Sequence, residues 1–223
     1  MLPTTANFTS AGNTIQAEVF NPTGTPNRGV IIIAHGSDGM VNNSNGPWLT
    51  MMRDFACDLA DKGFVTLMPN YFGETNSVDF LQISLYQATL ADAVAFAKTL
   101  PGIDAARIGL LGFSLGGCLC LRNRALTKVL VEFFAPELPE LGGIGMAGNP
   151  MLHAQIHHGD KDRLVPLKLN AEPIEQKLRT EGADVTLFPY LGAGHGFNGK
   201  YTGDAPAQQK SKEHTLAFFE KYL

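Results

Sequence analysis

Cysteine, long apolar runs and clusters of basic residues are all scarce in this chain of 223 residues. The three cysteines are Cys57, Cys118 and Cys120. Because an odd number of cysteines does not fit a disulfide framework, we expect them to be buried thiols. Apolar stretches such as residues 30–34 are far shorter than the ~20 residues of a membrane-spanning helix. Seventeen basic and 21 acidic residues give a net charge of −4 without a basic run. We therefore expect neither nucleic acid nor a membrane as a partner.

The N-terminal segment MLPTTANFTS also lacks the basic and apolar regions of a secretory signal, so the expected location is the cytoplasm. What the chain does have is a hydrophobic fraction of 44% and a length suited to one sizeable core. No internal repeat or linker divides it. We expect a single domain over residues 1–223.

Short apolar runs alternate with longer segments whose apolar residues recur at helical spacing. The predicted strands are residues 14–20, 29–34, 64–68, 107–113, 129–134, 153–158 and 184–189. The predicted helices are residues 48–59, 81–96, 115–126, 171–178 and 216–223. This alternation is typical of an α/β fold with a mostly parallel sheet and helices on both faces. Residues 135–150 break the pattern, and their prolines and glycines predict a long loop that carries function.

The stretch GFSLGG places Ser114 between a predicted strand and a predicted helix, as in the G-x-S-x-G pattern. A turn this tight forces its central residue towards positive φ, and we expect Gly112 and Gly116 to remove collisions with it. The turn lifts the Ser114 hydroxyl above the carboxyl edge of the sheet. A glycine-rich turn could instead serve only helix packing, but the strand and helix on either side favour a nucleophile.

A serine nucleophile needs a base and an orienting acid, and in this arrangement they follow in the order Ser, Asp, His. The stretch IHHGDKDRLVP places Asp160 and Asp162 after one strand, and LGAGHGF places His195 after the next. His195 is the predicted base rather than a solvated loop histidine. Asp162 is the preferred acid, and Asp160 is the alternative that would otherwise shape the turn.

The loop AHGSDG follows the predicted strand at residues 29–34 and is of the type that supplies a backbone donor to an oxyanion. The predicted pair of donors is the N–H groups of Ser37 and Leu115. His35 is interpreted as a structural, hydrogen-bonded histidine. Substrate contacts are expected from the loop at residues 135–150 and from three aromatic side chains, although packing in the core is a close alternative for the aromatics. These side chains are Trp48, Tyr71 and Phe72.

With these stretches, and with HGDKDRLVP matching an H-G-x-x-D-x-x-V-P pattern, the sequence resembles the dienelactone hydrolase family over most of its length. The resemblance implies the α/β-hydrolase fold, and we expect no large cap domain in this chain. It also implies Ser114, Asp162 and His195 as a catalytic triad, which decides between Asp160 and Asp162.

The sequence departs from the family's namesake enzymes at three places. Ser114 stands where they have a cysteine nucleophile, and Gly36 stands where they have a glutamate that helps to activate it. Gly199, with Lys200 beside it, stands where they have an arginine that grips a substrate carboxylate. We therefore expect a serine esterase for small, uncharged or weakly charged esters, with lactones or thioesters as further substrates.

Two other classes of function are alternatives to this one. Nearby histidines and aspartates could form a metal site, but His157 and His158 are consecutive in a strand and point to opposite faces. A binding module could keep the same fold without turnover. The expected enzyme needs no metal or cofactor, its partner is a small-molecule ester, and the choice between monomer and homodimer is left open.

Overall fold

The computed structural model describes residues 2–40, 46–145 and 148–223, and these contain one eight-stranded sheet. The strands are β1 (Thr4–Ser10), β2 (Asn13–Phe20), β3 (Val30–Ala34), β4 (Val65–Pro69), β5 (Ile108–Phe113), β6 (Val129–Phe133), β7 (His153–Gly159) and β8 (Asp184–Tyr190). Their order across the sheet is β1-β2-β4-β3-β5-β6-β7-β8. The β1–β2 and β2–β4 pairs are antiparallel, and the pairs from β4 to β8 are parallel.

Helices cover both faces of the sheet, as the sequence predicts. They are α1 (Pro47–Asp61), α2 (Ile83–Ala97), α3 (Leu115–Arg122), α4 (Ala171–Thr180) and α5 (Asp204–Tyr222). The apolar residues of α2, α3 and α4 belong to one buried cluster, and those of α1 and α5 belong to another. The sheet therefore separates two cores.

The central strand β3 has the sequence VIIIA, and all five of its side chains are buried. Branched apolar side chains on both faces are what a strand between two helix layers requires. Because β3, β5, β7 and β8 are parallel, the loops that follow them meet at one edge of the sheet. This edge receives each of the predicted catalytic side chains.

Three elements differ from the sequence-based expectation. β1 was not predicted, because Phe8 and Ser10 are its only buried side chains and its apolar alternation is weak. α3 ends at Arg122 rather than at residue 126, and a short 3-10 turn follows it. α5 begins at Asp204 rather than at residue 216, since its first half buries only small or polar side chains such as Ala207 and Ser211.

Among the helices in the described part of the chain, none combines the length and the apolar character needed to cross a lipid bilayer.

Candidate active site

Ser114 occupies the turn between β5 and α3 in a strained conformation, with φ 52° and ψ −118°. A non-glycine residue with positive φ is uncommon and costs free energy, so the surrounding structure must hold it. The backbone N–H of Ser114 donates to Phe133 O at 2.9 Å, and the Ser114 carbonyl accepts from Cys118 N at 3.2 Å. The positive φ predicted from the glycine spacing is therefore present.

Gly112 and Gly116 flank the serine because neither position has room for a side chain. A β-carbon on Gly112 would lie 2.6 Å from backbone atoms of α3. A β-carbon on Gly116 would overlap the carbonyl oxygens of Ala34 and His35 at the end of β3. The collisions predicted at Ser114 itself occur instead between α3 and the strands. The glycines let the N-terminus of α3 lie directly against the sheet edge.

Asp162 and His195 come together from two loops that are 33 residues apart in the chain. Asp162 Oδ2 lies 2.7 Å from His195 Nδ1, and a carboxylate oxygen only accepts, so Nδ1 carries the proton. Asp162 Oδ1 accepts the N–H groups of Leu164 at 3.0 Å and Val165 at 2.8 Å. Burial disfavours the charged carboxylate, but hydrogen bonds from His158 and His195 outweigh this effect and lower the pKa of Asp162 to about 2. The carboxylate is therefore ionised and fixed in orientation.

Asp160 has a different position, although it is only two residues away. Its Oδ1 accepts the N–H of Gly192 at 2.6 Å, and its Oδ2 lies 3.4 Å from Lys161 Nζ. This contact ties the turn after β7 to the loop after β8. Asp160 therefore shapes the turn, and Asp162 is the carboxylate that contacts His195.

Asp204, which the sequence analysis did not single out, anchors the loop that carries His195. The side chain is fully buried at the start of α5, and it accepts the N–H of Gly194 at 2.7 Å and that of Tyr201 at 3.0 Å. An acidic residue in the first turn of a helix is a common sequence feature. The contact of Asp204 with Gly194, which holds the loop of His195, is a tertiary contact that the sequence pattern does not reveal.

Ser114 and His195 line the same cavity at the carboxyl edge of the sheet. Its polar side is formed by residues 36–39 of the loop after β3. Its apolar wall is formed by Trp48, Met51, Met52, Phe113, Phe134 and Leu164. Among the described residues the structure shows no hydrogen bond between Ser114 and His195, whose ring is held through Nδ1.

Leu115 and Ser37, whose N–H groups are the predicted oxyanion donors, both lie near the cavity that Ser114 lines. Leu115 is the first residue of α3, and the first N–H groups of a helix have no intrahelical acceptor. Ser37 lines the cavity, and its neighbour Gly36 lies so close that a β-carbon there would be 3.6 Å from Ser114 Cβ. The loop after β3 and the start of α3 therefore face the same space.

The aromatic residues expected to contact substrate divide into two groups. Trp48 lines the cavity, but Tyr71 and Phe72 are not among the residues that line it. Both are buried, the Tyr71 hydroxyl donates to His35 O, and the Tyr71 ring stacks on the His35 ring with centroids 3.8 Å apart. The expectation of substrate contacts from Tyr71 and Phe72 is therefore wrong, because they follow β4 and pack behind the loop after β3. Phe134 and Leu164, which were not predicted, line the cavity instead.

His35 itself is structural in the sense expected from the sequence. Its Nδ1 lies 2.8 Å from Gly36 O, and the stacked Tyr71 ring covers it. Burial lowers the pKa of His35 to about 4, partly opposed by the backbone contact with Gly36. The ring is therefore neutral near pH 7 and supports the loop without adding charge to it.

The loop at residues 135–150 does not line the cavity over its described residues, and Met146 and Ala147 lie outside the described part of the chain. Arg124, fully buried, holds the loop by donating to Ile144 O at 2.5 Å and Gly145 O at 3.1 Å. The same guanidinium pairs with Glu181 at 2.6 Å. The described part of this loop is thus fastened against α4, and the expectation that it contacts substrate does not hold there.

The histidines near β7 lie in separate surroundings. His157 contacts Tyr190 Oη at 2.9 Å and stacks on Phe188, whereas the neighbouring His158 faces Asp162. Within residues 2–40, 46–145 and 148–223, no three His, Cys, Asp or Glu side chains are grouped so that they could hold a metal ion.

Comparison with known proteins decides the family. The family model described as "Dienelactone hydrolase family" matches residues 15–223, which is nearly the whole chain. The chain belongs to the dienelactone hydrolase family. This places it among the carboxylic ester hydrolases, and its eight-stranded sheet with two helix layers is the α/β-hydrolase fold.

Named relatives of this family member include hydrolases of more than one kind. It is 29% identical over 205 residues to a Bradyrhizobium protein named "Probable 2-oxo-3-(5-oxofuran-2-ylidene)propanoate lactonase", covering 78% of this chain and 79% of that protein. Its fold resembles dienelactone hydrolase from Anabaena variabilis, with a TM-score of 0.76, 19% identity and complete coverage of both chains. It also resembles a thermophilic esterase from Thermogutta terrifontis, with a TM-score of 0.77, 17% identity and coverage of 98% and 94% of the two chains.

Proposed function

We propose that this family member is a serine hydrolase that cleaves small, uncharged carboxylic esters through an acyl-enzyme intermediate. One observation carries the proposal: Asp162 holds His195 at 2.7 Å in the wall of the cavity that Ser114 enters from its positive-φ turn. These three residue types supply the acid, base and nucleophile of a hydrolytic triad.

In the proposed mechanism, the Asp162 contact leaves the second ring nitrogen of His195, Nε2, free of a proton, so it accepts the Ser114 hydroxyl proton. Ser114 Oγ forms a bond to the ester carbonyl carbon, and the backbone N–H groups of Leu115 and Ser37 stabilise the oxyanion. The tetrahedral intermediate collapses, and the leaving alkoxide takes the proton from His195 as the C–O bond breaks. Contacts between the nucleophile and the base commonly tighten only when substrate binds.

Deacylation repeats the same proton transfers with water in place of the alcohol. His195 removes a proton from a water molecule, the hydroxide adds to the acyl carbon, and Ser114 leaves with the returned proton. The acid is released and the free hydroxyl is restored. Apart from the ester and water, these steps use only the chain's own residues.

The charge around the cavity supports an uncharged substrate. No Lys or Arg side chain is among the described residues that line it, and Asp38 contributes a carboxylate at its edge. Lys200, the basic residue nearest to His195 in the sequence, is exposed and lies outside that lining. A substrate carboxylate would lose water at this site without gaining a cation. The proposed preference is therefore for esters with no carboxylate of their own.

The shape of the apolar wall supports a small acyl or alcohol group. Phe113, Phe134 and Trp48 line the cavity of Ser114 with rigid aromatic surfaces, and Met51 and Met52 add further apolar surface. Leu164, 74% exposed, extends the apolar surface to the rim. Burial of a few methylene groups against these side chains contributes about 0.8 kcal/mol for each group.

The test compares p-nitrophenyl butyrate with the p-nitrophenyl monoester of succinic acid, which has a similar length and adds a carboxylate. We expect hydrolysis of the butyrate with a kcat/KM at least tenfold higher than that of the charged ester, and loss of both activities in Ser114→Ala. Equal rates for the two esters would contradict the substrate class. A folded protein that hydrolyses neither these esters nor lactones would instead be a binding protein of this fold.

A further inference from the structure

A buried acid and base, Glu132 and His158, lie behind Asp162 and take no part in the mechanism above. Glu132 lies within β6 and His158 near the end of β7, and neither is exposed to solvent. Glu132 Oε1 and His158 Nδ1 are both buried without a hydrogen-bond partner. Such polar groups are unfavourable in a core, so their presence needs a physical explanation.

The sheet places these two side chains on the same face. Glu132 pairs with Ile156 on the neighbouring strand, and His158 follows two residues later on that strand, where side chains return to the same side. Glu132 Oε2 accepts the N–H of Ala135 at 2.8 Å and lies close to Gly117 of α3. The pair is therefore enclosed beneath the helix that begins at the nucleophile.

The contacts of His158 determine which of its nitrogens carries a proton. His158 Nε2 lies 2.6 Å from Val165 O, and a carbonyl oxygen only accepts, so Nε2 is protonated. The same N–H faces Asp162 Oδ2 at 3.4 Å. Val165 in turn donates its N–H to Asp162 Oδ1 at 2.8 Å. Two hydrogen bonds through Val165 thus link His158 to Asp162, and the close approach of the His158 ring completes the contacts that hold the carboxylate.

Asp162 Oδ2 is consequently shared by two histidines, with His195 on the cavity side at 2.7 Å and His158 on the core side at 3.4 Å. A positive charge near one carboxylate oxygen lowers the attraction of that oxygen for the first donor. The hydrogen bond that orients the proposed base therefore depends on a histidine outside the cavity.

The surroundings of the pair allow His158 to carry a charge. Burial opposes the charge, but the hydrogen bond to Asp162 and the nearby Glu132 carboxyl together raise the pKa of His158. Burial also raises the pKa of Glu132 to about 7. The thiols of Cys118 and Cys120 on α3 are neutral, because burial and, to a smaller extent, the Glu132 carboxyl raise the pKa of both, that of Cys118 to about 11. Glu132 and Asp162 are thus the acidic groups that face His158.

We propose that His158, supported by Glu132, is a positioning residue that holds Asp162 from behind and sets the strength of the Asp162–His195 hydrogen bond. The proposal rests on the serine hydrolase function proposed above. Removal of the His158 charge leaves Asp162 a stronger acceptor for the His195 proton, and removal of the His158 N–H donor leaves Asp162 less fixed. The first effect moves the acid limb of the pH–rate profile to higher pH, and the second lowers kcat.

Four variants separate these effects. His158→Leu removes both the donor and the charge, whereas His158→Gln keeps an N–H donor without the charge. Glu132→Gln keeps the shape of the side chain and an acceptor for Ala135 while removing the carboxylate that faces His158. His157→Gln is the matched control, because His157 is an equally buried histidine of the same strand that contacts Tyr190 rather than Asp162.

We expect the acid limb of kcat/KM to move up by about 0.5 pH unit or more in both His158 variants, and by less in Glu132→Gln. We expect kcat to fall about tenfold in His158→Leu and to recover in His158→Gln. Profiles of His158→Gln and Glu132→Gln that superimpose on the wild type, or an equal shift in His157→Gln, would overturn the proposal.

Ring ¹⁵N NMR of His158 tests the pair without any substrate. In Glu132→Gln, the His158 titration should move to lower pH, and an unchanged titration would overturn the Glu132–His158 interaction. A wild type that hydrolyses no ester, or an active Ser114→Ala, would refute the proposed function instead, and the NMR titration would still decide on the pair.

Discussion

The indole ring of Trp48 lies directly on the backbone of Gly196, the residue that follows His195. A β-carbon added to Gly196 would overlap the ring, and the φ of Gly196 is +76°. The Trp48 and His195 rings also lie together, with centroids 6.1 Å apart. Trp48, in the cavity wall, therefore packs against the loop that carries His195. At position 196 only glycine both fits beneath the indole and readily adopts this positive φ.

The first prediction concerns this contact. Gly196→Ala should displace the indole and destabilise the protein by about 1–3 kcal/mol, because it adds an overlap in a packed site to the strain of positive φ. Gly199→Ala is the matched control, since Gly199 has a similar φ of +83° and no atom within 4 Å of an added β-carbon. Denaturant unfolding measures the free energy of unfolding of both variants. Equal losses of stability would show that Trp48 does not pack closely on Gly196.

The second prediction concerns acyl length. Trp48 and Met51 line both the cavity of Ser114 and a second cavity formed by Gly196, Phe197 and Gln208, so the indole separates the two spaces. Trp48→Ala should join them and raise the relative kcat/KM for p-nitrophenyl octanoate over p-nitrophenyl acetate by about tenfold. Trp48→Phe, which keeps a ring as a wall, should change the ratio much less. An unchanged ratio in the alanine variant would place the acyl chain elsewhere.

The third prediction separates the two aspartates of the turn after β7. Asp162→Asn should lower kcat by roughly 10³–10⁴-fold, because an amide at this position favours the wrong tautomer of His195. Asp160→Asn should retain most of the activity, since Asp160 contacts Gly192 and Lys161 rather than the ring. Steady-state kinetics with one short ester measures both variants. Comparable losses in the two would contradict the assignment of the acid.

The fourth prediction concerns the pH dependence of stability. Burial raises the pKa of Glu132 from its ordinary value of 4.5 to about 7, so between these values the folded protein binds more protons than the unfolded chain. The contribution of Glu132 to stability is then present below about pH 4.5 and is lost as the pH rises to about 7. Glu132→Gln should therefore gain stability relative to the wild type across this window, by up to about 3 kcal/mol.

Denaturant midpoints of Glu132→Gln and the wild type, measured from pH 4.5 to pH 8, test this sign. The difference should grow up to about pH 7 and then stay constant. A difference that is flat, or that favours the wild type as the pH rises, would show that Glu132 is ionised in the folded protein.

The strands and turns that position the site could be predicted because a local sequence pattern indicates each of them. β3, β5 and β7 are buried runs that end in glycine-containing turns. Ser114 follows β5 directly, and Asp162 and His195 lie in the loops after β7 and β8. Their convergence then follows from the parallel sheet alone. The strained φ of Ser114 also follows from local sequence, since the turn is only a few residues long.

The side chains that surround this arrangement could not be predicted in the same way. Phe134 and Leu164 reach the cavity because of how two loops bend, and Tyr71 turns away because β4 lies on the far side of β3 from the serine. Asp204 and His158 act through contacts with residues distant from them or across a turn. Periodicity identifies which face of an element is buried, but it does not identify the partner of a buried polar group.

Intact-mass analysis of the wild-type protein after reaction with a fluorophosphonate tests the central claim most directly. The account predicts one covalent adduct, located by peptide mapping on Ser114, and no adduct on the buried and neutral thiols of Cys118 and Cys120. A folded wild-type protein that remains unlabelled, or that is labelled at a residue other than Ser114, would contradict it.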